Sequence, residues 1–312
     1  MQCSIAQPWP AWTPYSPPTP SFPSISTPAA SLHIRAYRAA LSDVTITAKG
    51  ICGKRHHMED RHKIIRNIIP GVHYIGMFDG HGGADVAAAC ADIIGDRVRH
   101  HLLNGSGYAG ALSAAIEEAD TKGCAEWGAR DTDNVGSTAL VALVTDAFIC
   151  VANVGDTEAY LLRGATAVPL SRPHRPSELD ERLRIERAGG FIARAPADRT
   201  ARVQGVLAIT RALGDHALRP YVIARPEITT IRRSKRDRAL VVATDGLWDV
   251  LAPEDVLRIH ADSCESSSHG SHGSHGSHDG TDLASILVYA ALERRSADNV
   301  SVAVATFSSL ND

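Results

Sequence analysis

The chain has 312 residues, 44% of them hydrophobic and 21% charged, with a formal net charge of −3. That suffices for one large globular domain or two small ones, and it gives no general electrostatic case for binding nucleic acid or an anionic membrane. No apolar run reaches the roughly 18 residues that a membrane-spanning helix needs, and the six scattered cysteines, with no CxxC pair, fit reduced thiols in an intracellular compartment better than a disulfide framework.

In chain order, residues 1–42 hold no Asp or Glu and are crowded with Pro, Ser and Thr. Such a stretch buries too little apolar surface to order itself. Two readings of residues 1–43 stand side by side: a disordered tail, or an organellar transit peptide, acid-poor and Ser-rich, with Arg35 and Arg38 late in the segment. The first leaves the chain in the cytoplasm or nucleus; the second sends it to a plastid or mitochondrion. "VTITAKG" (44–50) and "GVHYIGMFDG" (71–80) read as strands, and residues 83–103 and 108–128 have helical spacing. Residues 137–162 read as three strands, with Asp146 in the first turn and Gly155-Asp156 in the second. Residues 177–190 predict a helix with Ser177 as N-cap and a Gly pair as its stop.

The basic run "RRSKRDR" (232–238) lies between two strand-like stretches and reads as a solvated loop rather than a nucleic-acid patch. Residues 238–251 read as a buried strand ending in acid and glycine. "APEDVLRIHAD" and "GTDLASILVYAALERR" read as helices. The tract "SHGSHGSHGSHDG" (268–280) between them reads as a flexible insertion rather than a metal site, because nothing nearby orients its imidazoles. Residues 298–307 alternate Val300, Val302 and Val304 against smaller residues, as a half-buried strand does. Clustered strands with paired helices indicate an α+β domain whose helices cover the outer faces of two sheets.

The acids follow a pattern. Glu59 and Asp60, Asp79, Asp156, Asp245 and Asp249, and Asp298 mostly stand at strand ends, often beside glycine. Strand ends project side chains onto the rim of a sheet, and glycine lets backbone approach closely. Carboxylates gathered from several rims repel one another unless cations neutralise them. Carboxylate, carbonyl and water ligands suit Mg²⁺ or Mn²⁺, whereas the sequence has no HExxH and no Cys/His set with zinc spacing. One Asp-Gly pair would be only a turn; five separate acid sites at apolar strand ends strain that reading.

"GKRHHMEDRH", "MFDGHGGADVA", "GSTALVALV", "VANVGDTEAYLL", "SRPHRPSELDERLRIERAGGFI", "VLAITRALGDHALRP", "VVATDGLWDVL" and "SADNVSVAV" resemble the motifs of the metal-dependent type 2C Ser/Thr protein phosphatases, in that family's order, across roughly residues 44–308. The wording around residues 208–226 is most similar to plant members. The resemblance implies a four-layer α-β-β-α sandwich, two central antiparallel sheets flanked by helix pairs, with a binuclear metal site at one edge. It implies hydrolysis of phosphoserine and phosphothreonine in phosphorylated protein substrates by a metal-bridging hydroxide, with two Mg²⁺ or Mn²⁺ ions. Asp79 would bridge the ions, Gly80 would offer its carbonyl to one, and Asp245 and Asp298 would ligate the other. Glu59 and Asp60 would act largely through water. Arg55 would take the phosphate and His81 would protonate the leaving oxygen. Asp156 and Asp249 match acids that hold a weaker third metal in some members. A monomer with no nucleic-acid or membrane partner is expected. No cysteine falls in the site motifs, which disfavours a cysteine nucleophile.

The sequence also departs from the family pattern. His56 and His57 follow Arg55, where an aliphatic or acidic residue is usual, and read as surface residues, with tuning of phosphate binding by pH as the alternative reading. Glu158 removes an expected cation. Residues 191–205, in the substrate-facing flap, lack the Trp of hormone-regulated plant members, which argues against that route of regulation. Two rival functions remain at this level: a catalytically dead binding module, and a small-molecule phosphohydrolase.

Overall fold

The computed structural model describes residues 44–123, 133–194, 200–268 and 282–308. Residues 1–43 and all but the first residue of the 268–280 insertion lie outside the described residues.

Strand β1 (Val44–Ile51) is followed by β2 (Arg61–Ile69), β3 (Val72–Phe78) and the short β4 (Gly80–His81). Helices α1 (Asp85–Leu103) and α2 (Tyr108–Glu118) come next, and α2 runs on into one wide turn at Ala119–Gly123. Strands β5 (Gly136–Ser137), β6 (Ala139–Val144), β7 (Phe148–Val154), β8 (Glu158–Arg163) and β9 (Thr166–Pro169) precede α3 (Leu179–Arg187). A hairpin of β10 (Ile192–Arg194) and β11 (Ala201–Val203) leads to β12 (Leu213–Gly214), β13 (Glu227–Arg232) and β14 (Asp237–Ala243). The chain closes with α4 (Asp245–Trp248), α5 (Pro253–Ser268), α6 (Leu283–Glu293) and β15 (Val300–Phe307).

Two five-stranded antiparallel sheets carry the fold, ordered β1-β15-β14-β8-β9 and β13-β7-β6-β3-β2. Side chains of a strand alternate between faces, and here both faces are apolar because each sheet is covered twice. Ile75, Met77, Leu140 and Ala142 of one sheet meet Leu240, Val242 and Ala303 of the other. The opposite faces carry Tyr74, Phe78, Val141 and Leu143 against Ile94 and Val98 of α1 and Leu112 and Ile116 of α2. Val241, Val302 and Val304 likewise pack on Val256 of α5 and Leu287 and Val288 of α6. The result is the expected four-layer α-β-β-α sandwich. Among the described residues no helix is long and apolar enough to cross a membrane.

Several local expectations change. β15 is buried on both faces: its valines face the helices, while Ala303 and Ala305, small but equally enclosed, face the second sheet. β2 was not legible, because it pairs only with β3 at a sheet edge, exposes His62, Lys63, Arg66 and Asn67, and slips register between Ile65 and Ile69. The 108–128 helix stops at Glu118, and its expected end past Gly123 lies outside the described residues. The basic run is not all loop: Arg232 ends β13, and Asp237, buried in β14, pairs with Arg163 at 2.6 Å. Ser177 does not cap α3; a turn closed by the Glu178 N–H donating to the Arg175 carbonyl uses that residue, and Glu178 stands at the N-cap.

α3 is anchored by Glu181, whose side chain is 2% exposed and accepts from Arg211 (2.6 and 3.1 Å), Arg184 (2.8 Å) and Thr210 (2.7 Å). Burial alone would raise its pKa, but the hydrogen bonds from Arg211, Arg184 and Thr210 outweigh it and hold the group at about 2. A folded pKa below the unfolded value stabilises the fold above that unfolded value, and the gain is lost as pH falls toward 2. Glu181→Ala should cost about 3–5 kcal/mol at neutral pH, the penalty of stranding a buried cation. The urea midpoints of variant and wild type should converge on acidification; a constant gap would contradict this account.

Candidate active site

The strand registers place the acids. In the first sheet Ile51 lies opposite Val300, and Ala243 lies opposite both Val302 and Glu158, so the chain leaves β14 into Thr244-Asp245 at the edge where Asp298-Asn299 enters β15. In the second sheet Arg61 lies opposite Phe78, and Ala139 opposite Val154. That edge therefore carries Glu59-Asp60, Asp79 and Gly155-Asp156. Both edges open on one cavity of about 290 Å³, lined by Arg55, Glu59, Asp79, Gly80, His81, Asp156, Asp245 and Asp298. Asp60 and Asp249 are not in the lining: Asp60 is buried behind it, accepting from Thr244 Oγ1 at 3.0 Å, and Asp249 is exposed at the end of α4.

Backbone contacts fix these positions. The Asp79 N–H donates to Thr138 Oγ1 (3.0 Å), and the Thr138 N–H donates back to the Asp79 carbonyl (2.9 Å). Asn299 holds the loop of Arg55 and Glu59: its Nδ2 donates to the carbonyls of Cys52 (2.8 Å) and His57 (3.0 Å), and its Oδ1 accepts from the Glu59 N–H (2.8 Å). Gly246 is a required glycine, since a Cβ there would collide with the Asn299 carbonyl. His56 and His57 are exposed, as expected.

The electrostatics are those of crowded acids. Burial, then repulsion from Asp60 and Asp245, raises the Asp79 pKa well above the carboxylate range. Burial, then Asp156 and Asp249, pushes Asp245 up to about 8. Burial raises Asp60 to about 6 against the opposing Thr244 hydrogen bond. Arg55 pairs with Asp298 at 2.6 Å, and Arg175 with Asp156 at 3.1 Å. Among the described residues no three His, Cys, Asp or Glu side chains form a ready-made metal cage. The donor chemistry still fits a hard divalent cation: the donors are all oxygen, and they are driven toward protonation by a repulsion that a cation relieves.

His81 has a partner the sequence did not reveal. Its Nε2 lies 2.7 Å from Oδ2 of Asp215, which is 3% exposed and lies 134 residues away in the chain. No described protein group bonds its Nδ1. Asp215 takes a left-handed conformation (φ 48°), a strain of about 1–3 kcal/mol. The turn is held by buried Asp120, which accepts from the Gly214 N–H at 2.9 Å and from Arg219 at 2.7 Å. Gly136 leaves room for the pair, since a Cβ there would strike both Asp215 Oδ2 and His81 Nε2. Asp215 follows a glycine at a strand end, the signal that marked the other acids. Arg202 of β11, with Leu207, Ala208 and Ile209, lines the cavity from the flap side.

Residues 44–300 match the family described as Protein phosphatase 2C. A rice protein (Oryza sativa subsp. japonica), "Probable protein phosphatase 2C 8", is 39% identical over 251 residues, covering 74% of this chain and 61% of that protein. "Protein phosphatase 2C 37" of Arabidopsis thaliana is 35% identical over 290 residues, covering 84% of this chain and 72% of its own. The crystal structure of serine-threonine phosphatase 2C from Toxoplasma gondii shares the fold, with a TM-score of 0.72 at 20% identity over 86% of this chain and 96% of that one. With the sandwich, the rim of acids and these matches together, the chain belongs to the protein phosphatase 2C family of protein serine/threonine phosphatases and is similar to its plant members.

Proposed function

We propose that this chain hydrolyses phosphoserine and phosphothreonine esters of proteins at the cavity between the two sheet edges, with two Mg²⁺ or Mn²⁺ ions held there. The observation that carries the reading is the convergence of Asp79, Asp245 and Asp298 with Arg55 and His81 on one cavity. Asp79, the Gly80 carbonyl, Asp245 and Asp298 would hold the ions directly, with Glu59 and the recessed Asp60 acting through water. When bound, the ions supply Lewis acidity that makes water a competent nucleophile at neutral pH.

The chain's own groups do the rest. Arg55 is 56% exposed and uses only one side-chain nitrogen on Asp298, so its remaining donors are free to receive phosphate oxygens. His81 is fixed by Asp215 through Nε2, which leaves Nδ1 to carry the proton to the departing seryl or threonyl oxygen. Asp215 is thus a positioning residue. The apolar wall of Leu207, Ala208 and Ile209 excludes water beside the phosphate, and Arg202 adds positive charge at the entrance. The working unit in this reading is a monomer spanning residues 44–308, acting on phosphorylated proteins and not on nucleic acid or membrane. The test is hydrolysis of a phosphothreonine peptide, which should require Mn²⁺ or Mg²⁺.

A further inference from the structure

Arg175 reaches into the acid cluster from a rigid segment. Its Nε lies 3.1 Å from Asp156 Oδ2, and its Nη2 lies 3.5 Å from Asp249 Oδ1. The backbone gives it little choice. The neighbouring His174 is fully buried; its Nδ1 accepts from the Gly155 N–H at 3.1 Å, its own N–H donates to the Gly155 carbonyl at 3.0 Å, and its carbonyl accepts from Thr210 at 2.8 Å. Pro173 and Pro176 flank the pair and restrict φ on either side. The segment is therefore bolted to Gly155, one residue from Asp156, and among the described residues the ion-pair partners of the Arg175 side chain are Asp156 and Asp249. Asp245 and Glu158 also feel its charge.

We propose that the Arg175 guanidinium is the built-in counter-cation of Asp156 and Asp249, so that this pair takes no third divalent ion and the centre holds two. The inference rests on the reading of the cavity as a metal centre. A divalent ion between Asp156 and Asp249 would occupy the space and the charge deficit that the guanidinium already fills. Arginine stays charged at every physiological pH, so this third positive charge is present whatever the metal concentration, and a need for high metal is removed from that corner of the site.

Equilibrium dialysis against millimolar Mn²⁺, with metal analysis of the protein and a melting curve for each variant, tests this. Wild type should bind two ions per chain, and Arg175→Ala three. The added ion should vanish again in the Arg175→Ala, Asp156→Asn double variant. Should Arg175→Ala fail to fold, Asp249→Asn in the otherwise native chain decides: its charge is exposed and, among the described residues, paired only to Arg175, so the ion count should stay at two. Three ions in wild type, a folded Arg175→Ala that gains none, or a loss of one ion in Asp249→Asn would each overturn the proposal while leaving the metal centre intact. A wild type that binds no ion would overturn the metal centre itself, and the proposal with it.

Discussion

Asp79→Asn should lower phosphatase turnover by roughly 10³-fold or more while the chain stays folded. Losing several kcal/mol of transition-state charge stabilisation corresponds to that factor, and Asp79 is the acid most crowded by its neighbours, with Asp60 and Asp245 both raising its pKa. The same crowding predicts an opposite effect on stability. Without metal, an amide at position 79 no longer repels Asp60, Asp245 and Asp298, so the variant should melt no lower than wild type. Added Mn²⁺ should then raise the wild-type melting temperature, as any ligand of the native state does, and raise that of the variant much less. Turnover near the wild-type value, or an equal metal-induced shift, would contradict the role given to Asp79.

His81→Gln should separate two substrates. A seryl or threonyl alkoxide is a poor leaving group and needs a proton, whereas p-nitrophenolate leaves unaided. General acids typically contribute about 10²–10⁴-fold, so the variant should lose that much on a phosphothreonine peptide and far less on p-nitrophenyl phosphate. Asp215→Asn should follow the same split more weakly, because it disturbs the orientation of His81 through the 2.7 Å contact and leaves the imidazole in place. Equal losses on both substrates would mean that His81 supports the Asp79 turn instead of donating a proton.

The acids at the strand ends were legible because their signal is local: an apolar strand followed by acid and glycine, repeated along the chain. Helix cover on the outer faces of two sheets was legible from clustered strands with paired helices, whereas the four-layer order came from the resemblance; Val72–Phe78, buried at every position, shows the cover on both faces. What escaped depends on approach in space. Asp215 acquires its meaning only because Gly136 lets it reach His81, and Arg175 only because a buried His174 ties it to Gly155. β2 escaped as a bulged edge strand with polar residues interleaved, and the full burial of β15 escaped because Ala303 and Ala305 resemble a solvent face in sequence when they face another sheet. The sequence also gave no sign that Arg55 and Asp298, 243 residues apart, would form an ion pair.

The most direct test of the central claim is the rate of phosphothreonine-peptide hydrolysis by the purified chain, first stripped with EDTA and then titrated with Mn²⁺. The carboxylate site predicts no turnover in EDTA and a saturable recovery as Mn²⁺ is added. Undiminished turnover in EDTA, or none at any Mn²⁺ concentration, would contradict it.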